Sequence, residues 1–220
     1  MDFGIPGSGA ASAAKYIPGQ GAFAIPSGVQ RIAEQGLWST FRFPIAVAIT
    51  GTQPRFFSVQ LGAVGQGYGA ALSFSETNQQ VANQAPGDET YEISSLAAEV
   101  YGATSVAPLG GDVRLLQRLG AFRWEFGSVY IDVAPLSMVG SGGGIFGATA
   151  DAGTPVTFAN NGNGTLWMYQ SVVISVPSTQ RFAMILVFGT AGQGTPLAPV
   201  AETQVRLTMF NLARSAVPVA

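Results

Sequence analysis

Apolar and polar positions alternate along much of the chain, and the alternation predicts strands. Between residues 122 and 126, Phe122, Trp124 and Phe126 fall on one side of a period of two, and Arg123 and Glu125 on the other. Phe122, Trp124 and Phe126 are therefore expected to face a core. Similar runs recur. Residues 41–50 are rich in strand formers and carry Pro44, which suits an edge strand or a strand start. A short turn at 51–54 leads to a run at 54–62, then to a glycine-rich loop at 62–70. Residues 90–102 alternate in part and fit a strand or a helix. Residues 113–127 and 128–136 read as strands. Segment 154–177 holds Asn161–Gly162 and Asn163–Gly164, tight-turn signals between apolar stretches. Residues 181–189 are apolar on both faces, as in a strand buried on both sides. Residues 203–213 form the last run.

About eight strands joined by short turns and a few long Gly/Pro loops, with no strand–helix alternation, argue against a parallel α/β sheet. The absence of a fixed repeat argues against a propeller or solenoid. The expected fold is all-β: an eight-stranded antiparallel β-sandwich, a single jelly roll, with an extended N-terminal arm.

The first 26 residues differ from the rest. They are rich in Gly, Ala, Ser and Pro, with spaced anchors at Phe3, Ile5, Tyr16, Ile17, Phe23 and Ile25. Such a segment is expected to order only by docking. Residues 27–40 fit a short helix, because Ser27 and Gln30 form a capping-box pattern and Val29, Ile32 and Ala33 share a helical face, with Gly36 as the stop. The division expected is an arm with a short helix over 1–40 and a jelly-roll domain over 41–220.

Composition narrows the chemistry. Only 10% of the 220 residues are charged and the net charge is −2, against roughly 25% charged in an ordinary soluble domain. Such a surface predicts burial in an assembly. Of the basic residues, Lys15 is the one lysine and the arginines are scattered, so no basic patch for nucleic acid is visible. Cys and His are both absent, which removes disulfides, thiolates, imidazole bases and Cys/His metal sites. The start "MDFGIPGSG" lacks the basic and apolar regions of a signal peptide. The apolar run "FAMILVFG" is too short for the ~20 residues of a membrane helix.

The candidate sites are weak. Gly142, Gly144 and Gly147 have the spacing of a dinucleotide fingerprint, but Pro135 precedes them and loop formers follow, and no lysine supplies a P-loop. A serine nucleophile has no base beyond Lys15 or a carboxylate. Glu92, Glu99, Glu125 and Asp132 lie in strand-like segments and could form a hydrolytic pair, although Glu125 is better explained by pairing with an arginine. Trp124, Trp167, Tyr169 and Tyr130 could form a sugar platform, with core or subunit interface as the default. The "NGT" at 163–165 is a glycosylation pattern that reads most simply as a turn. No catalytic, cofactor-binding or metal-ligating residue is assigned, no cofactor is expected, and the chain is read as no enzyme.

The succession "RFFSVQLGAVGQGYGAALSFSETN" (55–78), "YEISSLAAEVYG" (91–102), "LLQRLGAFRWEFGSVYIDVAPLSMVGSGGGIFG" (115–147), "RFAMILVFGTAG" (181–192) and "TQVRLTMFNLARSAVP" (203–218) resembles structural proteins of bacteriophages, more loosely the jelly-roll capsid proteins of icosahedral phages. The resemblance covers about three quarters of the chain, from Arg55 on. It is one of pattern and carries no catalytic signature. It implies a virion component, a capsid protein that self-assembles into capsomers and a shell. Its partners would be copies of itself and other virion proteins. The N-terminal arm would contact an inner protein layer or an internal membrane, with little direct nucleic-acid binding. The alternative is a phage spike, fibre or cement protein acting as a binding module, carbohydrate included. A hydrolase using carboxylates alone is a third reading.

Overall fold

The computed structural model describes residues 14–17, 21–24, 29–87, 89–102, 110–141, 167–168, 174–189 and 197–216. Strands dominate them. In chain order they are β1 (Ala14–Ile17), β2 (Gly21–Ala24), β3 (Val29–Phe43), β4 (Arg55–Phe56), β5 (Glu89–Gly102), β6 (Gly120–Phe126), β7 (Val129–Pro135), β8 (Trp167–Met168), β9 (Ile174–Pro177), β10 (Phe182–Phe188) and β11 (Thr203–Ala216). One helix, α1 (Gly110–Leu119), precedes β6, and a single 3-10 turn (Leu136–Met138) follows β7. One antiparallel sheet has the order β3-β11-β5-β8, with β9 also on β5. The other has the order β4-β10-β6-β7. Among the described residues β1 and β2 pair with each other and with no other strand.

The two larger sheets share one core. Its buried side chains include Leu37 on β3, Ile93 and Leu96 on β5, Leu207 and Met209 on β11, and Phe122, Trp124, Met184 and Leu186 on the opposing sheet. Aromatic contacts cross the gap, with ring centroids 5.7 Å apart for Phe43–Phe188, 6.2 Å for Phe41–Phe56 and 6.3 Å for Tyr91–Phe182. This is sheet-on-sheet packing. Phe122 and Trp124 are buried as the period of two requires, and Phe126 is half-buried and stacks on Trp124 at 5.3 Å. β10 is buried at every position except Val187, and Phe182, Met184, Leu186 and Phe188 on one of its faces belong to the shared core.

Several expectations are corrected. Residues 29–43 form strand rather than helix, so the boundary expected at 40/41 falls inside β3. The capping pattern at Ser27 and Gln30 is a local signal worth about 1 kcal/mol. It is outweighed by a ladder with β11 that runs from Phe43↔Thr203 to Val29↔Ala216. Gly36 sits mid-strand opposite Phe210. The strand expected at 41–50 ends at Phe43, where Pro44 withholds a ladder donor and Ala46 turns the chain with φ +60°. The run at 54–62 shortens to Arg55–Phe56, cut off by a positive φ of 61° at Phe57. The first half of 113–127 is helix, not strand: Val113 and Leu116 are buried one turn apart. Residues 90–102 resolve as strand. The Asn-Gly turns of 161–164 and the glycine block 142–147 lie outside the described residues.

Candidate assembly surface

Of the residues singled out for chemistry, Glu125, Tyr130 and Asp132 are neighbours on the β6–β7 hairpin, with Tyr130 opposite Glu125 and Asp132 opposite Arg123, and the others lie apart. Glu125 accepts a hydrogen bond from Arg55 Nη2 at 3.0 Å, spanning β10, which lies between their strands. The small cleft beside them, about 310 Å³, has Glu125 as the single carboxylate of its lining. Asp132 accepts from Arg123 Nε at 2.6 Å, which holds the arginine's pKa above its usual value. Glu92 and Glu99 lie on β5, in the other sheet. Among the described residues no three acidic side chains gather as a metal site. Trp124 is fully buried, so it offers no sugar platform. Tyr130 is exposed on β7, Trp167 lies opposite Leu96 in β8, and Tyr169 and the "NGT" at 163–165 fall outside the described residues.

The long connection 57–87 does structural work that the glycine-rich pattern hid. It closes over the outer edge of β3. Asn78 acts there as a surrogate strand: its Oδ1 accepts from Trp38 N–H at 2.8 Å and its Nδ2 donates to Gly36 C=O at 2.8 Å. Ser39 Oγ accepts from Phe57 N–H at 2.9 Å and from Gln66 Nε2 at 2.7 Å. At Gly67, with φ +81°, a Cβ would lie 2.0 Å from Arg42 C=O, so only glycine fits the crossing.

Beneath the same connection lies a polar seam. Arg206 Nη2 donates to Ser75 C=O at 2.8 Å, and its guanidinium stands 5.2 Å from the Tyr101 ring centre. Tyr68 OH donates to Gln204 Oε1 at 2.9 Å, and Arg42 pairs with Glu202. Burial pushes the phenols of Tyr68 and Tyr101 up, so neither supplies a base near neutrality. Partial burial would raise Glu76, but hydrogen bonds from Ser73 and Ser75 outweigh it and lower its pKa.

One concave apolar feature among the described residues is a groove of about 440 Å³ between the free ends of β3 and β4, walled by Phe41, Phe43, Pro44, Val47, Ile49 and Pro54. Its outer wall is built by backbone bonds. Ala46 N–H donates to Pro199 C=O at 3.0 Å and Ile49 N–H to Leu197 C=O at 2.8 Å. The buried Asp112 carboxylate in the first turn of α1 accepts from Val200 and Ala201 N–H, both at 2.8 Å, and pins that wall from behind. Ile45, Val47 and Val200 stay exposed around it.

The chain matches no protein-family model, no curated protein and no solved structure. The groove is not visible in the sequence because residues 41–50, with Pro44 suiting an edge strand or a strand start, look like one strand. The signal that marks it is the pair Pro44 and Pro54, which bracket an apolar stretch that cannot continue either ladder. The pieces brought together are an apolar groove, exposed aliphatic residues and isolated ion pairs.

Proposed function

We propose that this chain is a virion structural protein, a capsid protein that assembles in many copies into an icosahedral shell, built on a single jelly roll with an N-terminal arm. The observation that carries the reading is large apolar surface left exposed on a chain with so few charges. Ile45, Val47, Val64, Phe74, Met138 and Val200 are each more than half exposed, and charged residues make up 10% of the chain. Exposed apolar patches on a charge-poor surface are what subunit contacts bury.

Strand order supports the jelly-roll part. Take β8 and β9, which share one edge of β5, as one interrupted strand. The first strand of the sandwich then pairs with the last (β3–β11), the second with the second-last (β4–β10), the third with the third-last (β5–β9), and β6–β7 is the central hairpin. This is one long antiparallel hairpin rolled so that β11 meets β5 and β10 meets β6. The arm reading is supported by β1 and β2, which add to neither sheet.

In this reading the protein resides in the virion. Its partners are its own copies and other virion proteins, and the arm reaches a neighbouring subunit, an inner layer or a membrane. With a net charge of −2 it neutralises little genome by itself. Electron microscopy of the purified chain, with sedimentation, tests the proposal. Regular closed particles or capsomers are expected. A stable monomer that binds glycans would replace this reading with the binding-module one, for which the exposed Phe74 packed edge-on against Trp38 at 4.8 Å is the favouring feature.

A further inference from the structure

The two sheets treat their edges differently. β3 is an edge strand covered by Asn78 and its neighbours. β7 is the edge of the other sheet, and among the described residues no strand pairs with its outer side. Val129, Tyr130 and Ile131 are 56%, 54% and 47% exposed, and the Asp132 side chain is 79% exposed. Residues 129–132 carry no lysine or proline, and the bulge of this strand lies just beyond them, at Val133, where Phe122↔Ala134 gives way to Arg123↔Asp132. The nearest charge, Asp132, is already held by Arg123.

The register fixes which backbone groups face outward. Phe126 and Val129 close a two-residue turn in which Gly127 has φ +59°. Such a turn makes 126/129 a hydrogen-bonded pair. The alternation of antiparallel ladders then makes 125/130 and 123/132 non-bonded pairs across β6. The N–H and C=O of Tyr130 and Asp132 therefore point away from β6.

We propose that two copies of this chain pair edge to edge through β7, antiparallel about a two-fold axis at Ile131, so that their β4-β10-β6-β7 sheets continue as one. The stretch is self-complementary in that register. Ile131 faces Ile131 of the second copy and the Tyr130 phenol faces the Asp132 carboxylate, and the bulge at Val133 ends the regular ladder on either side. The outward groups of Tyr130 and Asp132 meet their counterparts in both copies, which forms the new ladder. The contact is isologous and closes by itself. It goes beyond the shell reading and stands whether or not a shell forms.

The chain has no cysteine, so single introduced thiols report the contact cleanly. In the full-length protein, Ile131→Cys places two thiols across the axis with Cα atoms about 4.5 Å apart, inside the disulfide range of about 4.4–6.8 Å. Tyr130→Cys places them on a diagonal of about 7–8 Å, outside it. After mild oxidation, Ile131→Cys is expected to shift to twice the monomer mass on a non-reducing gel. Tyr130→Cys and the exposed loop control Val64→Cys should stay largely monomeric. In parallel, Ile131→Lys puts two ammonium groups at the axis, and light scattering should show the dimer lost with the tryptophan fluorescence of the fold retained. Equal cross-linking at all three positions, none at Ile131, or a dimer unaffected by Ile131→Lys would overturn the contact. Particles without the Ile131 cross-link would sink this contact and leave the shell reading. The cross-link without particles would do the reverse.

Discussion

At the scale of single residues, two side chains carry much of the design. Trp124 is fully buried between Phe126 and Phe182, with ring centroids at 5.3 and 6.2 Å. Truncation leaves a cavity that close-packed neighbours from both sheets fill only in part. Trp124→Ala is expected to cost about 3–5 kcal/mol, read by denaturant unfolding of the isolated protein; a loss under about 1 kcal/mol, within the range of surface substitutions, would show that this face is not core. Asn78 works differently, since it closes an edge rather than filling a core. Removing its amide strips Trp38 N–H and Gly36 C=O of partners at 2.8 Å each. Asn78→Ala should cost about 1–3 kcal/mol and speed hydrogen exchange at the Trp38 amide, with core amides such as Leu207 slowed no less than before. An unchanged Trp38 exchange rate would mean that the connection 57–87 covers β3 without Asn78.

At the scale of elements, what was legible in the sequence was what local pattern decides. The alternation at 122–126 marks β6 because each residue's face follows from its immediate neighbours, and the all-apolar 182–188 marks a strand covered on both sides. β3 was misread because its reason is distant: its ladder partner β11 begins some 160 residues later, and only that pairing overrides the capping pattern at its start. α1 was missed for the opposite cause. Its ten residues lie directly against the alternating run of β6, and the period of two was carried back over a stretch where Val113 and Leu116 follow a helical spacing. The β1–β2 hairpin leads to a separate expectation, because it pairs with neither large sheet. Deleting residues 1–26 should leave a chain that unfolds cooperatively near the parent midpoint but assembles poorly, measured by thermal unfolding beside sedimentation. Outright unfolding of the truncated chain would place those residues in the core.

At the scale of the whole molecule, the candidate site was legible only as a composition. Low charge and the absence of Cys and His pointed to contact rather than chemistry, but neither the groove of Phe41, Phe43 and Pro54 nor the edge position of β7 could be read before the sheets brought distant segments together. The same low charge decides how assemblies of this chain should respond to salt. Contacts made by charge weaken as ionic strength rises, because the Debye length falls to about 3 Å at 1 M. Here the described ion pairs are spent within the subunit, Arg42 on Glu202, Arg55 on Glu125 and Arg123 on Asp132, which leaves fewer charges still for contacts between copies. Apolar burial is not screened, and salting-out ions strengthen it. Oligomers of the chain are therefore expected to persist in about 1 M NaCl, where screening is nearly complete, and to come apart first in denaturant, which solvates apolar and peptide groups alike. Light scattering across a salt series and a urea series separates the two. Dissociation to monomer by salt alone would mean that a few arginine–carboxylate contacts between copies hold the assembly, and that its apolar groove and exposed β7 face solvent rather than neighbouring copies.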